Sequence, residues 1–448
     1  MSSQSGTLAE LKRPQWVVGF WLFSRAVMLC VFWSLASFIR NDVNYYAQSV
    51  LAHPWPIADD IRSVLVEYPT PVVWFMQLMG WFSGGSIDGY VSAFCFVIVV
   101  LDALACAALY RFESPLAAGL WALAGALLGP LMWFRFDLVP TLCVLGALYW
   151  VRRRPALAGV MIALGAGLKL WPALLIIPML GISRPARRRG AGFVITGCVL
   201  VVVSVASQGL ARTLSPLTFQ SDRGLQIESV WATPLMLSRL WTSGDQTFVE
   251  FSNYQAYEIF APSVHVWMGL AGVVMLLVIV FALLCCWWIG FGGAGLPGHG
   301  LPPEQEGQSQ ETAILLACTA LVCGVMVADK TLSPQYLIWL FAPLAIVVAR
   351  TIAHPVPGIP GAAGLRIGAL GMATIGVTQL VYPLSYSGLI GRTDPNIGST
   401  VLLAIRTSLI VALTAYSCHG AVKASLAVGR STAAQYSSSL STRAITWK

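Results

Sequence analysis

Residues 152–189 read RRRPALAGVMIALGAGLKLWPALLIIPMLGISRPARRR: an apolar stretch enclosed by arginines and broken in its middle by Lys169, Trp171 and Pro172. Lys and Arg clustered beside apolar runs mark the cytoplasmic side of a membrane. The two clusters stand roughly thirty residues apart, more than the ~20 of a single crossing and fewer than two full ones need. Both reach the same side if residues 156–168 and 171–180 form a hairpin of two short helices. The alternative takes 156–180 as one kinked crossing and 71–82 as another span, which would put Arg152, Arg153 and Arg154 outside; the hairpin is preferred. Interrupted helices at membrane depth occur where they line a cavity, and a lysine there needs an anionic partner. Lys169 is therefore a candidate functional residue, the plain alternative being a lysine that snorkels to the interface.

Outward from the hairpin the chain keeps this character. Of 448 residues 57% are hydrophobic and 10% charged, and the mean hydropathy is +0.74, which excludes an ordinary globular domain, where about a quarter of residues are charged. Spanning segments must satisfy their own backbone hydrogen bonds, so the fold class is all-α, a polytopic membrane helical bundle with the lipid bilayer as its solvent. The +8 net charge comes from short basic clusters between apolar runs, the positive-inside pattern, and no nucleic-acid partner is expected. The ten cysteines all fall in apolar runs without metal or disulfide spacing and read as small core residues. No cleavable signal is visible: the first apolar run follows Lys12 and Arg13 and has no small-residue cleavage site.

Residues 1–14 are expected to be cytoplasmic, 15–422 to form one membrane domain, and the Ser- and Thr-rich 423–448 to be a disordered cytoplasmic tail. A first span over 16–38 leads to an outer loop near 39–70. A short run, 71–82, precedes Gly84 and Gly85 and reads as re-entrant or interfacial. Apolar runs follow at 87–110, 115–134 and 137–151, then the hairpin, then 190–208. A second outer loop near 209–263 is too polar to span. Runs at 264–291, 312–328, 337–348, 367–386 and 397–421 close the bundle, with a Gly/Pro/Glu linker before Glu311. The expected total is about twelve crossings.

Acids are scarce, 19 in all, and four of them (Asp42, Asp59, Asp60, Glu67) lie in the first outer loop. Asp42 is the first candidate for a general base. Outside or near that face the sequence also gathers Tyr45, Tyr46, Tyr68, Arg135, Asp137, Lys169, Arg223, Glu228, Lys330 and Gln335. Cations can neutralise a departing phosphate while a carboxylate takes the proton of a hydroxyl acceptor; the plain alternative is a set of loop salt bridges and interface anchors. Gly-rich phosphate loop, His/Cys cluster and GxSxG motif are all missing, so a donor entering sideways from the bilayer suits the chain better than a soluble nucleotide.

Five landmarks in order resemble glycosyltransferase family 87, one of the C-type membrane glycosyltransferases. They are the Asp42 loop ending Glu67-Tyr68-Pro69, Arg135-Phe136-Asp137-Leu138, Leu168-Lys169-Leu170-Trp171-Pro172, Arg223 through Ser229, and Leu332-Ser333-Pro334-Gln335-Tyr336. The resemblance implies transfer of a sugar, most often mannose in α-1,2 linkage, from a polyprenyl-phosphate donor to a glycolipid or lipoglycan on the outer face of the cell membrane, with arabinofuranose as the other family donor. It also implies that Asp42 is the base of an inverting reaction. On the residues' own chemistry, Lys169, Arg223 and Lys330 are expected to hold the phosphate, Tyr68, Trp171 and Gln335 to shape the sugar pocket, and Glu67, Arg135, Asp137 and Glu228 to touch substrate as well. No cofactor and no metal are expected. The chain departs from the family pattern at Tyr68-Pro69-Thr70-Pro71, where Tyr-Pro-Pro is usual. A lipid or small-molecule transporter and a non-catalytic scaffold are the rival classes; against transport stand the lack of a repeat between the halves and the weighting of polar residues to one face.

Overall fold

The computed structural model describes residues 14–35, 37–53, 64–241, 246–292, 303–353 and 362–445. Asp59 and Asp60 lie outside the described residues. In chain order the helices are α1 (Pro14–Leu35), α2 (Asn41–Ala52), α3 (Thr70–Trp81), α4 (Ile87–Phe112), α5 (Pro115–Leu128), α6 (Leu138–Trp150), α7 (Pro155–Leu168), α8 (Arg184–Gln208), α9 (Leu210–Asp222), α10 (Thr233–Ser238), α11 (Val264–Phe291), α12 (Pro303–Ala328), α13 (Phe341–Ala353), α14 (Ala362–Gln379) and α15 (Ile397–Ile445). Among the described residues nine helices are long and apolar enough to cross a bilayer. The expected total of about twelve is not reached on length, because α6, α7 and the 3-10 segment Trp171–Met179 are each shorter than a span. One element departs from an all-α reading: β1 (Phe248–Phe251) pairs antiparallel with β2 (Tyr257–Phe260) inside the second polar loop.

Local sequence sets the helix starts. Ser114 and Ser183 accept hydrogen bonds from the backbone N–H of Ala117 and Ala186, and each is followed by a proline in the first two helical positions, where a missing N–H costs nothing. Ser86 caps α4 in the same way, after Gly84 and Gly85 turn the chain in the left-handed region, which glycine enters without strain.

The hairpin forms. α7 ends at Leu168, Lys169 is extended, and the chain returns through Trp171–Met179. Arg189 donates to the carbonyls of Met179 (2.8 Å) and Val151 (2.9 Å), so both arginine clusters lie at one end of the bundle. That excludes the single kinked crossing. At the same end Arg350 grips Glu113 through Nε (2.6 Å) and Nη2 (2.8 Å) and also pairs with Glu311. Arg152 and Arg153 join these two acids at 3.4 and 3.6 Å.

The centre of the bundle is α12 with the Pro334–Ala353 span, both almost wholly buried, whereas α8 turns nearly all of its apolar surface outward. Helices apolar all round suit either position. Cys30 and Cys198 are on the outward surface, unlike the core position expected of every cysteine. α15 continues beyond the expected start of the tail to Ile445, its last stretch from Ser431 containing neither Pro nor Gly to stop it.

Candidate active site

At the end opposite the arginine clusters, segments distant in sequence converge on Arg135. This residue follows the 3-10 turn Gly129–Phe134, in which Gly129 has φ +73°, and is itself extended. Its guanidinium is 4% exposed, and its Nη1 donates to the carbonyls of Ile39 (3.0 Å) and Phe134 (2.9 Å). Nε donates to Gln335 Oε1 (2.9 Å) and stands 3.2 Å from Asp42 Oδ2. Nη2 donates to the Tyr382 hydroxyl at 3.4 Å.

Asp42 occupies the first turn of α2, where the helix dipole favours a carboxylate. Its side chain is 40% exposed and lies within electrostatic reach of Arg135, Asp137 and Lys169. Burial raises its pKa, opposed by Arg135 and Lys169 and assisted by Asp137; burial prevails.

Behind Arg135, Asp137 begins α6, and its Oδ1 accepts from Lys169 Nζ and from Trp339 Nε1, each at 2.6 Å. Lys169 also lies 4.4 Å above the Tyr336 ring and 5.2 Å from that of Trp339. Trp339 stacks between Tyr336 (4.1 Å) and Trp171 (4.7 Å). The 3-10 conformation of Pro334–Leu340 explains the pairing, since residues three apart eclipse.

A second cationic group stands nearby. Lys330 Nζ donates to the carbonyls of Ser221 (2.9 Å) and Arg223 (2.6 Å), and Arg223 donates to Gln226 at 3.2 Å. Burial lowers the Lys330 pKa, against Asp329 and Glu258, which raise it. Tyr336 lies within electrostatic reach of Arg223, Asp329 and Asp137, and so sits between the two groups.

The first loop is tied to this region by tyrosines: Tyr45 donates to Glu67 at 2.9 Å, and the hydroxyls of Tyr46 and Tyr68 are 2.8 Å apart. Burial raises the Glu67 pKa, offset by its hydrogen bonds, Tyr45's included, and by Arg212 and Arg223. Arg212 holds the carbonyls of Val64 (3.2 Å) and Leu65 (3.0 Å).

Two acids expected to touch substrate are closed off. Asp137 is 3% exposed and serves Lys169 and Trp339; Glu228 is 1% exposed, and it faces Tyr386 and Arg406. Sequence reasoning missed Trp339, Tyr382, Tyr386 and Arg406. The first three read as ordinary aromatic filling of apolar runs, but a charged residue within the span of α15 was a signal that could have been used. Among the described residues no three His, Cys, Asp or Glu come together as a possible metal site.

Residues 65–297, slightly more than half the chain, match the model of glycosyltransferase family 87. The chain belongs to that family. It is a multi-pass membrane glycosyltransferase. No curated protein and no solved structure matches it. The matched span contains Glu67, Tyr68, Arg135, Asp137, Lys169, Trp171, Arg223 and Glu228, whereas Asp42, Lys330 and Gln335 lie beyond it. Contacts join the two sets: Asp42 and Gln335 meet Arg135, and Lys330 meets Arg223.

Proposed function

We propose that this family 87 enzyme transfers mannose, in α-1,2 linkage, from a polyprenyl-phosphate donor to a glycolipid or lipoglycan acceptor at the outer face of the cell membrane, with inversion at the anomeric carbon. The observation that carries the reading is the Asp42 carboxylate, partly exposed and 3.2 Å from Arg135, with Lys169 within electrostatic reach of it and Arg223 within reach of the Tyr336 ring over which Lys169 lies.

In this reading the acceptor oxygen attacks C1 of the sugar from the face opposite the phosphate. The C1–O bond breaks, the phosphate leaves with the electron pair, and Asp42 takes the hydroxyl proton. A base whose pKa is raised by its surroundings is better matched to that proton. Lys169, Arg223 and Lys330 face the departing charge, and cations fixed in place before the reaction need no reorganisation as charge develops. Tyr68, Trp171 and Gln335 shape the sugar pocket: Tyr46 holds Tyr68, Arg135 holds Gln335, and Trp171 acts through its stack on Trp339. Neither a soluble nucleotide nor a cofactor takes part.

Membranes containing the protein should move radiolabel from polyprenyl-phosphate-mannose to an acceptor glycolipid, and membranes lacking it should not. Transfer from polyprenyl-phosphate-arabinose alone would replace mannose by arabinofuranose. A protein that moves neither sugar would overturn the reading.

A further inference from the structure

Arg25, Arg350 and Arg135 each bring a largely buried guanidinium up to a carboxylate, and they do so in two ways. Arg25 grips Asp102 with the Nε/Nη2 edge of its guanidinium, at 2.7 and 2.6 Å. Arg350 grips Glu113 with the same edge, at 2.6 and 2.8 Å. Such two-point forks are the strong form of the pair. Arg135 does not make one with Asp42. Its Nε is shared between Asp42 and Gln335 Oε1, and its Nη2 is turned to the Tyr382 hydroxyl.

We propose that Tyr382 and Gln335 are positioning residues that hold the Nε/Nη2 edge of Arg135 away from a two-point fork with Asp42, and so keep the carboxylate basic enough to take the acceptor proton. This rests on Asp42 being the base. A carboxylate closed in a fork binds protons less readily, which makes it a weaker base.

Tyr382 is braced for the task. Its ring packs edge-on against Tyr386 at 4.8 Å, Tyr386 hydrogen-bonds Glu228, and Arg406 donates to the Glu228 carbonyl. Arg406 is fully buried, and its Nε and Nη1 have no partner, a cost accepted where a buried arginine fixes a position. Residues 382, 386 and 406 lie beyond the family match, so the last two spans supply part of the machinery that tunes the site. The groups around Asp42 besides Arg135 and Tyr382 are Asp137, Lys169, Tyr46 and Tyr68; both variants below leave these four unchanged.

The test is the pH dependence of transfer from polyprenyl-phosphate-mannose by purified wild type, Tyr382→Phe, Gln335→Met and Asp42→Asn. Each of the first two substitutions frees one donor on the shared edge, so Arg135 closes on Asp42. The acid limb of kcat should move down by about one pH unit and its plateau fall about tenfold. If Tyr382→Phe leaves the acid limb where it is, with or without loss of rate, the proposal fails and Tyr382 is structural or a substrate contact. A limb that moves upward in either variant also overturns it. Asp42→Asn separates the two layers: transfer at the wild-type rate by that variant removes the base assignment itself, whatever Tyr382 does.

Discussion

Asp42 shows how one residue can be readable in a sequence while its working state is not. Scarcity of acids and a place in the first outer loop single it out, but only the fold shows it beside Arg135 and partly exposed. Burial raises its pKa, so the base form is lost as pH falls through a value above the ordinary carboxylate one of about 3.9. The acid limb of kcat should therefore lie above that value, and a pH–rate profile will show it. Asp42→Asn keeps the shape and removes the basicity. Turnover should drop at least about 100-fold, while folded yield stays near wild type because Arg135 retains Ile39, Phe134, Gln335 and Tyr382 as acceptors. Glu67→Gln leaves an acceptor for Tyr45 and should cost much less. The opposite ranking of the two variants in a transfer assay would move the base to Glu67. Tyr382 and Trp339 escaped the sequence reading for a physical reason: an aromatic ring in an apolar run has the same composition whether it fills core or holds a charge.

At the scale of elements, the hairpin α7 to Met179 was legible because charge and proline mark it. Arginines bound it, and Lys169 with Pro172 breaks it. The strands β1 and β2 were not, since four-residue strands within a polar loop give too short an alternation to stand out. What holds α7 against α8 is also partly hidden, because it depends on the lack of side chains. A Cβ on Gly159 would come within 1.9 Å of the Arg189 carbonyl oxygen, and one on Gly192 within 2.2 Å of that of Ala156. Small residues allow such backbone approach in membranes, where packing replaces the hydrophobic drive between helices. Gly159→Leu must push the helices apart and disturb Arg189, which ties both ends of the hairpin. It should lower thermal stability in detergent by an overpacking cost of about 1–3 kcal/mol, with less monodisperse protein recovered. Gly197, on α8 with nothing within 4 Å of its Cβ position, is the matched site: Gly197→Leu should unfold at the wild-type temperature, and equal losses for the two variants would show that the contact does not matter.

For the whole molecule, composition alone is enough to establish a helical membrane bundle, but not the number of crossings, because a span rule counts length. α6, α7 and Trp171–Met179 fall below it while still packing within the bundle. The positive-inside rule instead fixes direction, and it makes a commitment that the bundle's two ends allow to be tested. Arg152, Arg153, Arg350 and Arg189 gather at one end with Glu113 and Glu311; Asp42, Lys169, Arg223 and Lys330 belong to the other. If the arginine end is cytoplasmic, the Asp42 end faces outside the cell, where a lipid-linked donor and a glycolipid acceptor can both reach it. Single cysteines at Ser49 and at the exposed Ser221 should then react with an impermeant thiol reagent in intact cells above the level of the parent protein, whereas one at the exposed Ala156 should react only after the membrane is permeabilised. Labelling at Ala156 in intact cells would turn the molecule over. It would place Asp42 in the cytoplasm, so that the acceptor would have to be a glycolipid of the inner leaflet.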